Sequence, residues 1–343
     1  MQTPDGTKGF LFFGFSGSSA SADVSSPSQK ETMRTSAYYP YRSEAARDFC
    51  FAYFDSLAAR EWPIASEERT VPTMYGATFL RISGPSGAPP LVLLPGAATT
   101  SLMWAPNIQA LSAEYQTFAV DQIGDFGRSI CTKPLRLKDL LPWLNELFDA
   151  LGLRGGLNLV GVSSGGALVA QYALHFPERL NRVVLLAPAA TVLRLRTEFL
   201  VRLTLAAIAR RRCLPSLVRW IFADMARKDP KSLDATLEQL LINMRNLQRR
   251  YIQAPPVLTD AEWRSLRMPA LFLAGEHEVI YSAKRAVHRL KRVAPQVSVE
   301  IIPDAGHDLT FVQAAMVNQR ILEFLKQEPA ASEKFGAFAC VTP

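Results

Sequence analysis

The sequence predicts an α/β fold, a mostly parallel central sheet with helices on both faces and one helical insertion. Three observations lead there. Runs such as LVLLPG (91–96) and LNLVGVS (157–163) are almost wholly apolar and only strand-length, the mark of strands covered on both faces. Between these runs lie stretches with apolar residues at helical spacing, so strand and helix alternate as in βαβ units. Residues 190–262 then break the alternation: they hold no strand-like run and carry Leu and Arg at helical spacing. A chain of 343 residues, 48% hydrophobic and 20% charged, can bury the core that such a domain needs.

Taken in order, ATFLRIS (77–83) reads as a strand and GPSGAPP as turn material after it. LVLLPG is the next strand, MWAPNIQALSA (103–113) a helix and YQTFAVDQ (115–122) a strand. LKDLLPWLNELFDALGL (137–153) is an amphipathic helix, followed by the strand at 157–163, the helix SGGALVAQYALHF (164–176) and the strand RVVLLAPA (182–189). After the insertion come the strand ALFLAGE (270–276), the helix SAKRAVHRLKRV (282–293), the strand VSVEIIP (297–303) and the helix FVQAAMVNQRILEFLKQ (311–327). Within the insertion, KDPKS (228–232) marks a helix break. The implied organisation is a leader without fold at 1–35, a sheet domain at 36–189 and 263–328, an inserted helical cap at 190–262 and a loose tail at 329–343.

The net charge is +7, and much of the excess sits in the insertion: Arg194, Arg196, Arg202, Arg210, Arg211, Arg212 and Arg219. Interleaved Leu, Val, Ile and Trp make these the solvated face of helices, and no nucleic-acid motif accompanies them, so no nucleic-acid partner is expected. Cys50, Cys131, Cys213 and Cys340 are scattered without a CxxC, which argues against a zinc site and a disulfide framework and fits a reducing, cytoplasmic setting. No apolar run is long enough to span a membrane. GFLFFGF (9–15) followed by Ala20-Ser21-Ala22 loosely mimics a secretory signal, which would instead imply export, and Met33 offers an alternative start.

Gly161-Val162-Ser163-Ser164-Gly165 fits G-x-S-x-G and lies where a strand hands over to a helix. A strand-to-helix turn this tight holds its central residue in strained backbone geometry, and small neighbours at Gly161 and Gly165 avoid collision. Ser163 is thereby the candidate nucleophile. Ser164 opens the helix, so its backbone N–H is a candidate donor to developing negative charge. A serine hydroxyl needs a base. Of four histidines, His175 packs or caps the helix after the elbow and His288 lies on a charged helix face. His277 adjoins an acidic loop, whereas His307, in IIPDAGHDLTF, follows a strand directly and can reach over the same sheet edge as Ser163. The loop Gly275-Glu276-His277-Glu278 offers Glu278 to orient that imidazole, with Glu276 as competitor. Small residues after the strand at 91–96 let backbone approach a substrate oxygen, and the Ala97 N–H is the chosen second oxyanion donor.

From about residue 70 to 327 the chain resembles the α/β-hydrolase fold superfamily, through LVLLPGAATT, VDQIGDFGRS (120–129), LVGVSSGG, LLAPAA, LFLAGEHEVI and DAGHD together. It looks most like capped bacterial serine hydrolases of carboxylesterase type, and the order Ser163, Glu278, His307 is the one that superfamily implies. The resemblance implies cleavage of a small-molecule ester or related acyl compound, with no cofactor and no metal; oligomeric state is not implied. Ser163 departs from the carboxylate nucleophile of related dehalogenases and epoxide hydrolases. Pro95-Gly96 stands where His-Gly is usual, which leaves open what braces the oxyanion loop, and glutamate stands where aspartate is commoner. Carbon–carbon bond hydrolysis or peracid formation on the same triad, or ligand binding without catalysis, are the alternative readings, because the pocket rather than the motif decides.

Overall fold

Every apolar run read as a strand pairs into one sheet of the computed structural model, which describes residues 39–248 and 256–327. In chain order the strands are β1 (Glu67–Thr73), β2 (Gly76–Ser83), β3 (Pro90–Leu94), β4 (Gln116–Val120), β5 (Ile130–Cys131), β6 (Leu157–Val162), β7 (Leu180–Leu186), β8 (Ala270–Gly275) and β9 (Val297–Ile302). Their order across the sheet is β1-β2-β4-β3-β6-β7-β8-β9, with the short β5 on β2. From β4 to β9 all neighbours are parallel; β2 runs antiparallel to β4 and to β1.

The central strands are largely apolar because alternate residues enter two different cores. On one face Val92, Leu94, Leu159, Val183, Leu185 and Phe272 meet the helices Leu137–Ala150, Ser164–His175 and Ala283–Val293. On the other, Leu91, Leu93, Val160, Val184, Leu186 and Leu273 meet the helices Ala105–Ser112 and Ala314–Lys326. A period-two alternation between two apolar environments leaves no polar face, so strand and core-helix segments look alike except in length.

Two elements precede the alternation read from sequence. A helix, Glu44–Glu61, is capped by the Ser43 hydroxyl and buries Cys50, Phe54 and Leu57 with Leu102, Phe126 and Leu247. β1 buries Val71 alone and carries Pro72 on an edge. Beyond these, the predicted helix at 103–113 begins with a tight 3-10 turn, Ser101–Trp104, and the predicted final helix divides into Leu309–Val312 and Ala314–Lys326.

Between β7 and β8 the described residues form a short helix next to β8, Asp260–Arg264, and before it four others, Thr197–Ile208, Arg210–Ile221, Ala223–Lys228 and Pro230–Asn246. These four share a small core of Ala206, Leu214, Leu217, Val218, Met225 and Leu233. Asp229, within the KDPKS stretch, separates the last two helices and caps the second by accepting from the Ser232 N–H. Arg202 is paired with Glu198 at 2.9 Å and lies over Trp220, while Arg219 faces Asp234 at 3.5 Å. No helix among the described residues is long and apolar enough to cross a membrane. The leader at 1–35, the tail at 329–343 and Cys340 lie outside the described residues.

Candidate active site

Parallel strands β3, β6, β8 and β9 end on one edge of the sheet, and the segments that follow them carry Ala97, Ser163 with Ser164, Glu278 and His307 respectively. This is where ligands bind in open α/β sheets.

Ser163 follows β6 and precedes the helix Ser164–His175, with φ 53° and ψ −114°. A non-glycine residue at such an angle is strained, by about 1–3 kcal/mol, and persists only where its surroundings fix it. Here the Ser163 N–H donates to the Leu186 carbonyl at 2.9 Å, and its own carbonyl accepts from Ala167 and Ala189. The turn needs both glycines: a Cβ on Gly161 would lie 2.4 Å from the Gly165 carbonyl oxygen, and one on Gly165 would lie 2.4 Å from that of Pro95. Ser164 occupies the first helical position, and its hydroxyl oxygen is buried without a hydrogen-bond partner among the described residues.

Glu278 and His307 come together. The imidazole Nδ1 lies 2.8 Å from Glu278 Oε2, with the Glu278 side chain fully buried and His307 7% exposed. The other carboxylate oxygen accepts the Ile280 N–H at 2.8 Å. The two loops are stitched to each other, since the His277 N–H donates to the Ala305 carbonyl and the Glu276 N–H to that of Ile302. Burial alone pulls the His307 pKa down; the Glu278 charge, its hydrogen bond and the smaller effect of the Asp308 charge overcome this and leave the pKa raised. Glu276, the competitor, is exposed. His277 turns away and pairs with Asp224 at 3.0 Å. His175 is exposed and bonds the Gln171 carbonyl oxygen, and His288 is exposed.

The loop after β3 lies against the elbow: a Cβ on Gly96 would sit 3.6 Å from the Ser163 Cβ. Its bracing, left open by Pro95-Gly96, comes from three directions. The Gly96 N–H points to Met103 Sδ at 3.2 Å, the Ala98 N–H to Asp125 Oδ2 at 3.3 Å, and the Ser101 N–H to Asp121 Oδ1 at 2.7 Å. Between the first two, the Ala97 N–H has no hydrogen-bond partner among the described residues, and Ala97 itself is exposed. Met103, Asp121 and Asp125 were not identified from sequence as parts of the site. The aspartates lay within VDQIGDFGRS, but nothing in the chain order says that their carboxylates reach a loop twenty or more residues earlier.

A family model for the alpha/beta hydrolase fold matches residues 89–314. Carboxylesterase YbfK of Bacillus subtilis (strain 168) is 36% identical over 286 residues, which are 82% of this chain and 95% of that protein. A second protein of that organism, the uncharacterized carboxylesterase nap, is 34% identical over 300 residues, 87% of this chain and 98% of the relative. The crystal structure of naproxen esterase (carboxylesterase NP) from Bacillus subtilis superposes with a TM-score of 0.74 at 33% identity, covering 82% of this chain and 98% of that one. The strand order, the strained turn at Ser163 and the extent of these matches agree with one another: this chain belongs to the α/β hydrolase fold family.

Proposed function

We propose that the protein is a serine hydrolase that cleaves carboxylic esters of small molecules through an acyl-enzyme, with Ser163 as nucleophile, His307 as general base and Glu278 as its orienting partner. The observation that carries this reading is the buried contact of 2.8 Å between His307 Nδ1 and Glu278, at the sheet edge where Ser163 is held in a strained turn. With Nδ1–H committed to Glu278, Nε2 is the free acceptor, the tautomer that a base for serine needs. The likeness to carboxylesterases over most of the chain supports ester as the substrate class.

In the proposed reaction Ser163 Oγ attacks the ester carbonyl carbon as its proton passes to His307 Nε2. The carbonyl oxygen takes the negative charge and accepts from the N–H groups of Ala97 and Ser164, which cost no reorganisation because the loop and the helix already hold them. His307 returns the proton to the leaving alcohol as the C–O bond breaks. Water then loses a proton to His307 and attacks the acyl carbon, and the carboxylic acid departs as Ser163 regains its hydrogen. Each step uses groups of this chain and water, and no metal or organic cofactor takes part.

The helices of residues 190–262 act in this reading as a cap that sets the size of acyl and alcohol groups, since the Phe222 ring reaches to 6.5 Å from that of His307. A cytoplasmic location, inferred from cysteine usage, belongs to the same proposal. The test is labelling by a fluorophosphonate probe together with hydrolysis of p-nitrophenyl esters of graded chain length. Labelling of the wild type and its loss in Ser163→Ala are expected, with turnover of at least the short esters. A folded wild type that neither labels nor turns over any ester of the series would overturn the reading in favour of a binding protein.

A further inference from the structure

Asp308 follows His307 and is fully buried, yet the reaction just described gives it no part. Its position suggests an ordinary task, because it is the N-cap of the helix Leu309–Val312, where aspartate usually accepts an N–H of its own helix. It makes no such side-chain bond. Instead Oδ1 accepts the Gly306 N–H at 3.1 Å, and Oδ2 accepts the Met225 N–H at 2.7 Å. Met225 is in the first turn of the inserted helix Ala223–Lys228, whose own N-cap residue, Phe222, provides no side-chain cap. That first turn carries N–H groups with no partner inside the helix. Asp308 therefore caps a helix of the insertion from the loop that carries His307, and the same carboxylate ties down the residue just before the imidazole.

Other contacts make the same junction. Asp224, buried on that helix, pairs with His277 at 3.0 Å, and His277 in turn lies one residue from Glu278. Lys228 Nζ donates to the Asp304 carbonyl at 2.8 Å. Phe222, at the head of the helix, lies over His307 with its ring tilted 35°. The short helix thus touches both loops that bring Glu278 and His307 together, and Asp308 is the group among these that bonds to the His307 loop and the insertion at once.

We propose that Asp308 is a positioning residue for His307, which couples the seating of the inserted helix Ala223–Lys228 to the setting of the imidazole. This rests on His307 being the general base. A carboxylate is suited to the task because two N–H donors from separate segments need two acceptor oxygens at one point. Asparagine offers one oxygen and would turn an N–H₂ donor toward the other N–H. The imidazole is held relative to Ser163 through its loop, and a misplacement of about 1 Å at a reacting group can cost roughly 10²-fold in rate.

The test compares wild type, Asp308→Asn and Asp308→Ala in the full chain, with a short p-nitrophenyl ester as probe. Two quantities are read: kcat against KM, and the downfield proton resonance of the His307 Nδ1–H bonded to Glu278. The expected result is a fall in kcat of up to roughly 10²-fold with KM little changed, the asparagine variant lying between the other two. The Nδ1–H resonance is expected to broaden or move in step. Asp224→Asn, which weakens the junction from the insertion side, should show the same change in smaller degree. Wild-type kcat and an unmoved resonance in the Asp308 variants would overturn the proposal. Should neither of them fold, those results in Asp224→Asn would do so. Ser163→Ala and His307→Gln separate this from the reading beneath it. If they retain wild-type probe labelling, the triad falls; if they lose it while Asp308→Asn and Asp308→Ala keep full kcat, only the role of Asp308 falls.

Discussion

Glu278 and His307 stand 29 positions apart in the chain and meet at 2.8 Å in a buried contact that fixes one ring nitrogen of the imidazole. The contact is made by backbone before it is made by side chains. The turn after β8 bonds through two N–H donors to the last residue of β9 and to the loop that follows it, and Gly275 permits the approach, since a Cβ there would lie 2.2 Å from the Gly306 carbonyl oxygen. Glu278 is held twice, by the imidazole and by the Ile280 N–H, so its carboxylate is aimed before any substrate binds.

The first prediction concerns pH. In the proposed reaction His307 works as a base only when neutral, and its pKa is raised above 6.5 chiefly because the Glu278 charge overcomes the effect of burial. The acid limb of kcat/KM is expected to have its midpoint above 6.5. Glu278→Gln removes the charge and is expected to move that limb to lower pH while lowering kcat, by up to the roughly 10⁴-fold seen when a triad acid becomes an amide. Stability runs the opposite way. A histidine whose pKa is higher folded than unfolded contributes stability that is complete below the unfolded value and is lost as pH rises through the folded one. Urea unfolding across that window should therefore show the wild type losing stability as activity rises, and Glu278→Gln losing less.

The second prediction separates the adjacent serines. Ser163→Ala removes the proposed nucleophile and is expected to abolish fluorophosphonate labelling and ester turnover. Ser164 acts in the proposed reaction through its N–H, which alanine keeps, and its hydroxyl has no partner among the described residues. Ser164→Ala is expected to label and to turn over esters at close to the wild-type rate, with a thermal midpoint at or slightly above that of the wild type. Mass spectrometry of the labelled protein would check this, since a modified peptide bearing Ser164 in place of Ser163 would contradict the assignment.

The parts of this architecture that were legible in sequence are those where geometry restricts residue type. The elbow could be read because collisions at 2.4 Å forbid side chains at Gly161 and Gly165. The central strands β3, β6, β7 and β8 could be read because burial on both faces enforces apolar runs, whereas the two-residue β5 is too short to show a pattern. The helix Glu44–Glu61 escaped because it presents apolar residues on several sides, with Phe49 exposed while Cys50 and Phe54 are buried, and so shows no clean stripe. β1 escaped because an edge strand with one buried residue can be charged and can hold proline. The bond from Met225 to Asp308 spans 83 positions and joins a backbone donor to a side chain, so no spacing rule marks it.

The third prediction concerns the elbow as a packing problem. The atoms that an added Cβ on Gly161 would meet are backbone atoms of Gly165 and Gly166, which cannot rotate aside. Gly161→Ala is expected to destabilise the fold by more than the roughly 1–3 kcal/mol typical of an overfilled core, and to lower activity further by displacing Ser163. Chemical denaturation and labelling measured on the same preparation would check both. A variant of wild-type stability would show that the turn can open at little cost.

The fourth prediction concerns the loop after β3. Asp125 accepts the Phe126 N–H through Oδ1 at 2.8 Å and the Ala98 N–H through Oδ2 at 3.3 Å, and Ala98 has φ 62°. The carboxylate thus holds the residue that follows Ala97 in a conformation alanine rarely adopts, and in the proposed reaction the neighbouring Ala97 N–H is an oxyanion donor. Asp125→Ala frees that loop without removing the donor itself. Its kcat is expected to fall, by less than the roughly 10²–10³-fold that loss of an oxyanion donor causes, while KM for a short ester changes little because the donor acts mainly on charge that appears in the transition state. Asp125→Asn keeps an oxygen acceptor and should recover part of the loss. If both variants raised KM and left kcat untouched, Asp125 would be shaping the pocket and the Ala97 amide would not be the donor.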